Sequence, residues 1–129
     1  MSKSLIWFRT EVVPLFLEEY ENSLLYWIGK EMAERERLKD FISLRHYFEK
    51  NGLGKLSIKK REKDHILLLL HDSPLSSASA ASVGTLSLEC GMVTYAMEEL
   101  FQQKGEGSVH WTDPQSNSPS LEIKVAFLK

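Results

Sequence analysis

The chain has 129 residues, of which 43% are hydrophobic and 26% charged, and its formal net charge is −2. This length predicts a single domain, residues 1–129, whose apolar core is large enough to fold without disulfides. The small net charge argues against a nucleic-acid-binding protein, and no apolar run is long enough to span a bilayer. The single cysteine excludes an intrachain disulfide, and Arg9 and Glu11 interrupt the N-terminal apolar stretch, so we expect a cytoplasmic protein without a signal peptide.

Two helices are predicted at the start of the chain. Apolar residues at helical spacing indicate a helix over 4–20, which Pro14 should kink or break. A second helix is expected over 24–37, with Asn22 or Ser23 as its N-cap. No internal repeat and no domain linker separates these elements from the rest of the chain.

A third helix and a pair of strands follow. Asp40 is a suitable N-cap for a helix over 41–51, and Gly52 suits the left-handed position that ends it. Alternating residues over 55–61 predict a strand with Leu56 and Ile58 facing inward. The strand predicted over 65–71 is rich in leucine, which indicates burial on both faces or a central position in a sheet. The charged segment 62–64 forms the hairpin turn, and 72–85 is an irregular loop.

The last part of the chain predicts one helix and two strands. A fourth helix is expected over 88–103, capped by Ser87 or Thr85 and terminated by the glycine-containing segment 104–107. Strands are expected over 108–111 and 121–127, joined by a turn-rich link over 113–119. The predicted order is ααα-ββ-α-ββ. It indicates an α+β fold with helices packed on one face of a small, about four-stranded antiparallel sheet.

The second helix is unusual because it combines Tyr26, Trp27 and Gly29. Glycine inside a helix costs about 1 kcal/mol relative to alanine. Gly29, and Gly91 in the fourth helix, are therefore expected where two backbones approach closely or where a bound molecule needs room; close helix packing is the simpler interpretation. We expect the aromatic helix to lie across the sheet, with Trp27 facing the apolar space between them and not the solvent.

Three segments in this order resemble the YslB-like family of uncharacterised proteins of Gram-positive bacteria. They are residues 9–14 with the pairs Tyr26-Trp27 and Gly29-Lys30, the corner 47–56, and residues 88–92. That family is similar to the 4-vinyl-reductase-type ligand-binding domain and to transport subunits of the TRAPP vesicle-tethering complex. The resemblance implies helices over a small antiparallel sheet, an apolar cavity between them, and homodimerisation through the helices. The cysteines of the 4-vinyl-reductase pattern are missing, so no cysteine-based metal or ligand site is carried over.

Each candidate site has a simpler structural interpretation. Cys90, in the first turn of the fourth helix, is either a reactive or lipid-modified thiol or a small buried core residue. His65 and His71 lie about 20 Å apart along one strand, too far to share a metal ion. The aromatic set lines either an apolar binding site or plain core. The residues predicted to line a cavity are Tyr26, Trp27, Gly29, Tyr47, Phe48, Cys90, Gly91 and Tyr95.

Two functions follow from this sequence. The first is a non-enzymatic domain that binds a small apolar molecule between helices and sheet. The alternative is a homodimeric interaction or scaffold module with a solid core and no ligand. An enzyme is less well supported, because no nucleophile or base has an orienting partner. No catalytic residue, cofactor, metal site, nucleic acid or membrane span is predicted.

Overall fold

A computed structural model describes residues 21–71, 86–111 and 121–128. The helix predicted over 4–20, the link over 113–119, and the loop 72–85 lie outside these ranges. The described elements are helix α1 (Glu21–Arg35), helix α2 (Phe41–Lys50), strands β1 (Lys55–Arg61) and β2 (His65–His71), helix α3 (Ser87–Phe101), and strands β3 (Gly105–Trp111) and β4 (Leu121–Phe127). Their order confirms the predicted α+β fold class. None of these helices is long and apolar enough to cross a membrane.

The four strands form one sheet in the order β1-β2-β4-β3, and every neighbouring pair is antiparallel. The central position of β2 is as predicted. Its Ile66, Leu68 and Leu70 are buried and alternate with partly exposed residues, because side chains point to opposite faces of a strand in turn. In β4, Ile123 and Val125 are buried on the same side. The core therefore covers one face of the sheet.

Helix α3 lies at the centre of the helical layer. It packs on β3 and β4, while α2 lies beside it and contacts β1. Helix α1 packs mainly against α3 and not across the sheet, which corrects the predicted placement of the aromatic helix. Because α3 has protein on several sides, most of its residues from Glu89 to Met97 are buried. A helix in that position needs apolar or small residues around its whole circumference.

The helix ends confirm some of the predictions and correct others. Asp40 caps α2 by accepting a hydrogen bond from the Ser43 N–H at 2.8 Å, and Gly52 has φ of 69° in the left-handed region, both as predicted. The chain is already helical at Glu21, the first described residue, so Asn22 and Ser23 lie within α1. The N-cap position of α3 is Leu86, whose side chain makes no capping hydrogen bond, so the predicted cap Ser87 is the first helical residue instead.

The prediction that residues 104–107 terminate the last helix is wrong. Helix α3 ends at Phe101 and Gln102 turns the chain, with a left-handed φ of 54°. Strand β3 then starts at Gly105, three residues earlier than predicted. Glycine is unfavourable in strands on average, but here a Cβ atom on Gly107 would overlap Thr94 Oγ1, and one on Gly105 would lie 3.0 Å from Val125 Cγ1. Tertiary packing therefore overrides the local preference.

A β-bulge in β1 directs a lysine across the sheet. Regular pairing of β1 with β2 is interrupted between Ile58 and Lys60, and Ile58 is exposed although it was predicted to face inward. The intervening Lys59 places its Nζ atom 2.7 Å from Glu122 Oε2, and His110 Nε2 lies 2.9 Å from Glu122 Oε1. Bulges often redirect a side chain in this way. The Lys59 ammonium is the main reason that the pKa of Glu122 is lowered.

Candidate functional site

Helices α1 and α3 cross with their backbones in direct contact at two glycines. A Cβ atom added to Gly29 would overlap the carbonyl oxygen of Leu88, and one added to Gly91 would overlap the carbonyl oxygen of Tyr26. Each helix therefore packs its backbone directly against the glycine of the other helix. This confirms the close-packing interpretation of these residues. The space beside each glycine is filled by the opposite helix.

This crossing fixes where the aromatic residues of α1 point. Residues three apart share a helix face, whereas residues two apart lie on nearly opposite sides. Tyr26, three positions before Gly29, is accordingly half-buried and reaches the sheet, where its hydroxyl lies 3.2 Å from the Gly107 nitrogen. Trp27, two positions before Gly29, is 63% exposed. The expectation that Trp27 faces away from the solvent is therefore wrong.

Strand β3 forms an edge of the sheet and packs its glycines against the helices. A Cβ atom on Gly107 would overlap Thr94 Oγ1 and would lie 2.7 Å from Cys90 Sγ, so only glycine fits beside α3. The backbone N–H of Gly107 donates to the Tyr26 hydroxyl, and the N–H of Gly105 donates to Glu98 Oε2 at 2.9 Å. Helix side chains thus bind two N–H groups of this edge strand. Unpaired strand edges otherwise attract other strands.

A single carboxylate joins three elements at this edge. Glu98 on α3 accepts from Gly105 of β3 with one oxygen, and its Oε1 lies 2.9 Å from the Nζ of Lys30 on α1. The same Nζ lies 5.5 Å from the centre of the Tyr26 ring and 5.2 Å from that of Trp27. A cation over aromatic faces is favourable, and both charged side chains are largely buried. Lys30 and Glu98 therefore hold α1 against the edge of the sheet.

An open cleft of ≈ 790 Å³ lies between α1, α3 and the edge of β3. Its aromatic and apolar lining consists of Tyr26, Trp27, Val109 and Leu128. Its charged residues balance, with two lysines and two glutamates. The complete lining is Tyr26, Trp27, Lys30, Ser87, Cys90, Glu98, Lys104, Gly105, Glu106, Gly107, Ser108, Val109 and Leu128. The cleft lies at the edge of the sheet, whereas the sequence predicts a cavity between helices and sheet.

Cys90 forms part of the wall of this cleft, but its thiol is not activated. It is only 2% exposed, and burial raises the pKa of Cys90 to about 12. The Thr94 side chain opposes this shift, and the neighbouring Glu89 carboxylate adds to it. Burial thus outweighs the thiolate-stabilising effect of a helix N-terminus. The simpler interpretation of Cys90, as a small core residue, is confirmed.

A family model described as "Protein of unknown function (DUF2507)" matches residues 3–125. The chain belongs to this family. A comparison with curated proteins found no match.

Two solved structures share the fold. A vinyl-4-reductase family protein from Methanocaldococcus jannaschii superposes with a TM-score of 0.67 at 18% identity, covering 81% of this chain and 68% of that one. A trafficking protein particle complex subunit 3 from Naegleria fowleri, covalently bound to palmitic acid, gives a TM-score of 0.64 at 15% identity, covering 98% and 94%. At these identities the likeness shows a common fold. It agrees with the wider fold group that the sequence resemblance implies.

The cleft brings together three of the residues predicted to line a cavity: Tyr26, Trp27 and Cys90. Tyr95 lies with Trp27 on a second, more acidic cleft of ≈ 480 Å³ between the ends of α1 and α3. Phe48 and Tyr47 both belong to α2. Phe48 is fully buried in the core, and Tyr47 packs against that core. Within the described ranges no group of three or more histidine, cysteine or acidic residues is placed to hold a metal ion.

Sequence reasoning missed the residues of the strand edge. Lys30, Glu98, Gly105 and Gly107 line the cleft, whereas the sequence pattern places Gly105 and Gly107 in the segment that ends a helix. The sequence does contain one signal for this strand. Gly105, Gly107 and the apolar Val109 alternate with polar residues, so they would share one face of a strand. Such a pair of glycines indicates a strand that approaches another backbone or side chain closely.

Proposed function

We propose that this chain is a non-enzymatic domain that binds a small, uncharged apolar molecule in the cleft between α1 and the edge of β3. The observation that carries the proposal is an open cleft of ≈ 790 Å³ with Trp27 largely exposed on its wall. Ligand sites of small molecules have volumes of about 300–1,000 Å³ and are lined mainly by apolar and aromatic side chains. The cleft is of this size and combines both kinds of side chain.

The chemistry of the cleft favours non-covalent binding. Lys30 is already paired with Glu98, and Lys104 and Glu106 balance each other in formal charge, so the cleft gives a charged ligand no net attraction. A thiol with a pKa of about 12 remains protonated at neutral pH and is a poor nucleophile. The palmitic acid of the trafficking-complex subunit supports an apolar cargo for the fold. The YslB-like affiliation and a cytoplasmic location belong to the same proposal.

The binding proposal is tested with the uncharged hydrophobic dye N-phenyl-1-naphthylamine. Trp27→Ala and Leu128→Ser each remove an apolar wall of the cleft, and we expect each to weaken dye binding about tenfold, equal to about 1.4 kcal/mol. Ile42→Ser is the matched control, because Ile42 is exposed on α2 and does not line the cleft. Fluorescence titration of the purified proteins gives the dissociation constants. Absence of dye binding, or equal weakening by the control, would contradict the proposal.

A second function is supported by an apolar stripe on α1. Leu24, Trp27 and Ile28 are 43%, 63% and 46% exposed and follow helical spacing on one side of this helix. A contiguous exposed apolar patch is typical of a protein-interaction surface. We propose, as the alternative to ligand binding, that this stripe pairs with its copy in a homodimer.

Sedimentation equilibrium of matched variants tests the dimer. Ile28→Glu places a charge in the stripe and is expected to raise the dimer dissociation constant at least about a hundredfold, equal to about 2.7 kcal/mol. Ile42→Glu introduces the same charge at another exposed isoleucine and should leave self-association unchanged. A wild-type chain that stays monomeric at high concentration would refute this alternative.

A further inference from the structure

The edge strand β3 turns part of its backbone toward the cleft. Phe127 of β4 donates its N–H to the carbonyl of Asp64, on the side of β2. In an antiparallel pair, residues that do not exchange hydrogen bonds with each other direct their N–H and C=O groups to the outer sides. Gly105 lies opposite Phe127, and Gly107 and Val109 follow at intervals of two. The N–H groups of these three residues therefore point away from β4.

Two of these donors have acceptors of different strength. The Gly105 N–H donates to the charged Glu98 carboxylate at 2.9 Å, a type of hydrogen bond that is stronger than a neutral one. The Gly107 N–H donates to the neutral Tyr26 hydroxyl at 3.2 Å, the long end of the usual range. Gly107 thus has the acceptor that a ligand could replace most easily.

We propose that the ligand of the cleft carries an uncharged carbonyl group, whose oxygen replaces the Tyr26 hydroxyl as the acceptor of the Gly107 N–H. This inference rests on the proposed function and adds the polar group that orients the ligand. Both Tyr26 and Gly107 line the cleft, so the hydroxyl is displaced within the binding site itself. A carboxylate would gain no net attraction over an uncharged carbonyl, because the two glutamates of the cleft offset its two lysines. Few polar groups, well placed, fix the orientation of an apolar ligand.

The test compares two uncharged probes of equal length, methyl octyl ketone and decane, by displacement of the uncharged dye N-phenyl-1-naphthylamine. Tyr26→Phe removes the hydroxyl that competes for the Gly107 N–H. We expect this variant to bind the ketone about fivefold more tightly than the wild type does, and decane within about twofold, because only the ketone gains the released donor. Tyr47→Phe is the matched control, since Tyr47 lies on α2 outside the cleft. It should change neither affinity.

A second measurement needs no variant. In amide nuclear magnetic resonance spectra of the wild type, the ketone is expected to shift the Gly107 N–H more than decane does. If both probes bind but Tyr26→Phe affects them equally, or if the Val109 N–H responds in place of Gly107, the carbonyl anchor is refuted while ligand binding stands. If neither probe displaces the dye or binds by resonance, the proposed function fails and this inference fails with it.

Discussion

Replacing Gly91 with alanine is expected to lower the free energy of unfolding by about 3 kcal/mol. The added Cβ would overlap the carbonyl oxygen of Tyr26 and lie 3.1 Å from the Lys30 nitrogen, so it meets backbone that no side-chain rotation can clear. The sign of this change in stability is informative, because the same substitution inside an ordinary helix stabilises the helix by about 1 kcal/mol. Urea unfolding followed by circular dichroism measures the change. Glu31→Ala, on the exposed side of α1, is the control and should stay within about 0.5 kcal/mol of the wild type.

Gly29, the other glycine at the helix crossing, provides a second test of the same contact. Gly29→Ala is expected to cost a similar amount, because its Cβ would overlap the Leu88 carbonyl oxygen on the opposite helix. Both substitutions push the same two backbones apart. The double variant should therefore cost less than the sum of the single variants, as coupled neighbours do. Stabilisation by either alanine, or strict additivity, would mean that α1 and α3 do not cross at these residues.

Much of the fold follows from local patterns. Asp40 before an amphipathic segment predicts the start of α2, and Gly52 predicts its end, because each needs only its immediate neighbours to act. The alternation from Leu121 to Val125 predicts β4 with its buried face. The leucine run of β2 predicts either burial on both faces or a central position, and the structure shows the central position with burial on one face. These features depend on contacts within a few residues or on burial alone.

The element against which α1 packs could not be predicted in the same way. Helix α1 has a broad apolar surface, and that surface could be buried equally well against the sheet or against another helix. Gly91 decides between them, because two glycines on separate helices allow those helices to approach backbone to backbone. Each glycine alone predicts a close approach, but it does not say to what. Only the pairing of Gly29 with Gly91 places Trp27 on the exposed side of α1.

The cleft was only partly predictable for a related reason. Tyr26, Trp27 and Cys90 were named from residue type, but the wall they face is the backbone of β3. Backbone donors have no signature in side-chain composition. The state of Cys90 likewise depends on long-range contacts: its position in the first turn of a helix suggests a lowered pKa, whereas packing against Gly107 buries the thiol and raises the pKa.

Alanine at Gly107 is expected to cost about 2 kcal/mol of unfolding free energy. Its Cβ would overlap Thr94 Oγ1 and lie 2.7 Å from Cys90 Sγ, both on the helix that forms the centre of the domain. Elsewhere in a strand, alanine in place of glycine is favourable by about 0.5–1 kcal/mol, so a loss again reverses the usual sign. Gly105→Ala is the matched control on the same strand. Its Cβ would first meet Val125 Cγ1 at 3.0 Å, and it should cost less.

A double variant identifies the cause of that loss. Thr94→Ala removes the overlapping Oγ1 and its hydrogen bond to the Cys90 carbonyl, 2.8 Å long, and alone should cost about 1 kcal/mol. Because the same atom causes the clash, Gly107→Ala in this background should cost at least about 1 kcal/mol less than in the wild type. Thermal or urea unfolding of the four proteins completes the cycle. If the loss at Gly107 is unchanged when Thr94 is alanine, then β3 does not pack on α3 through this pair, and the edge of β3 that forms the cleft wall is not held there by α3.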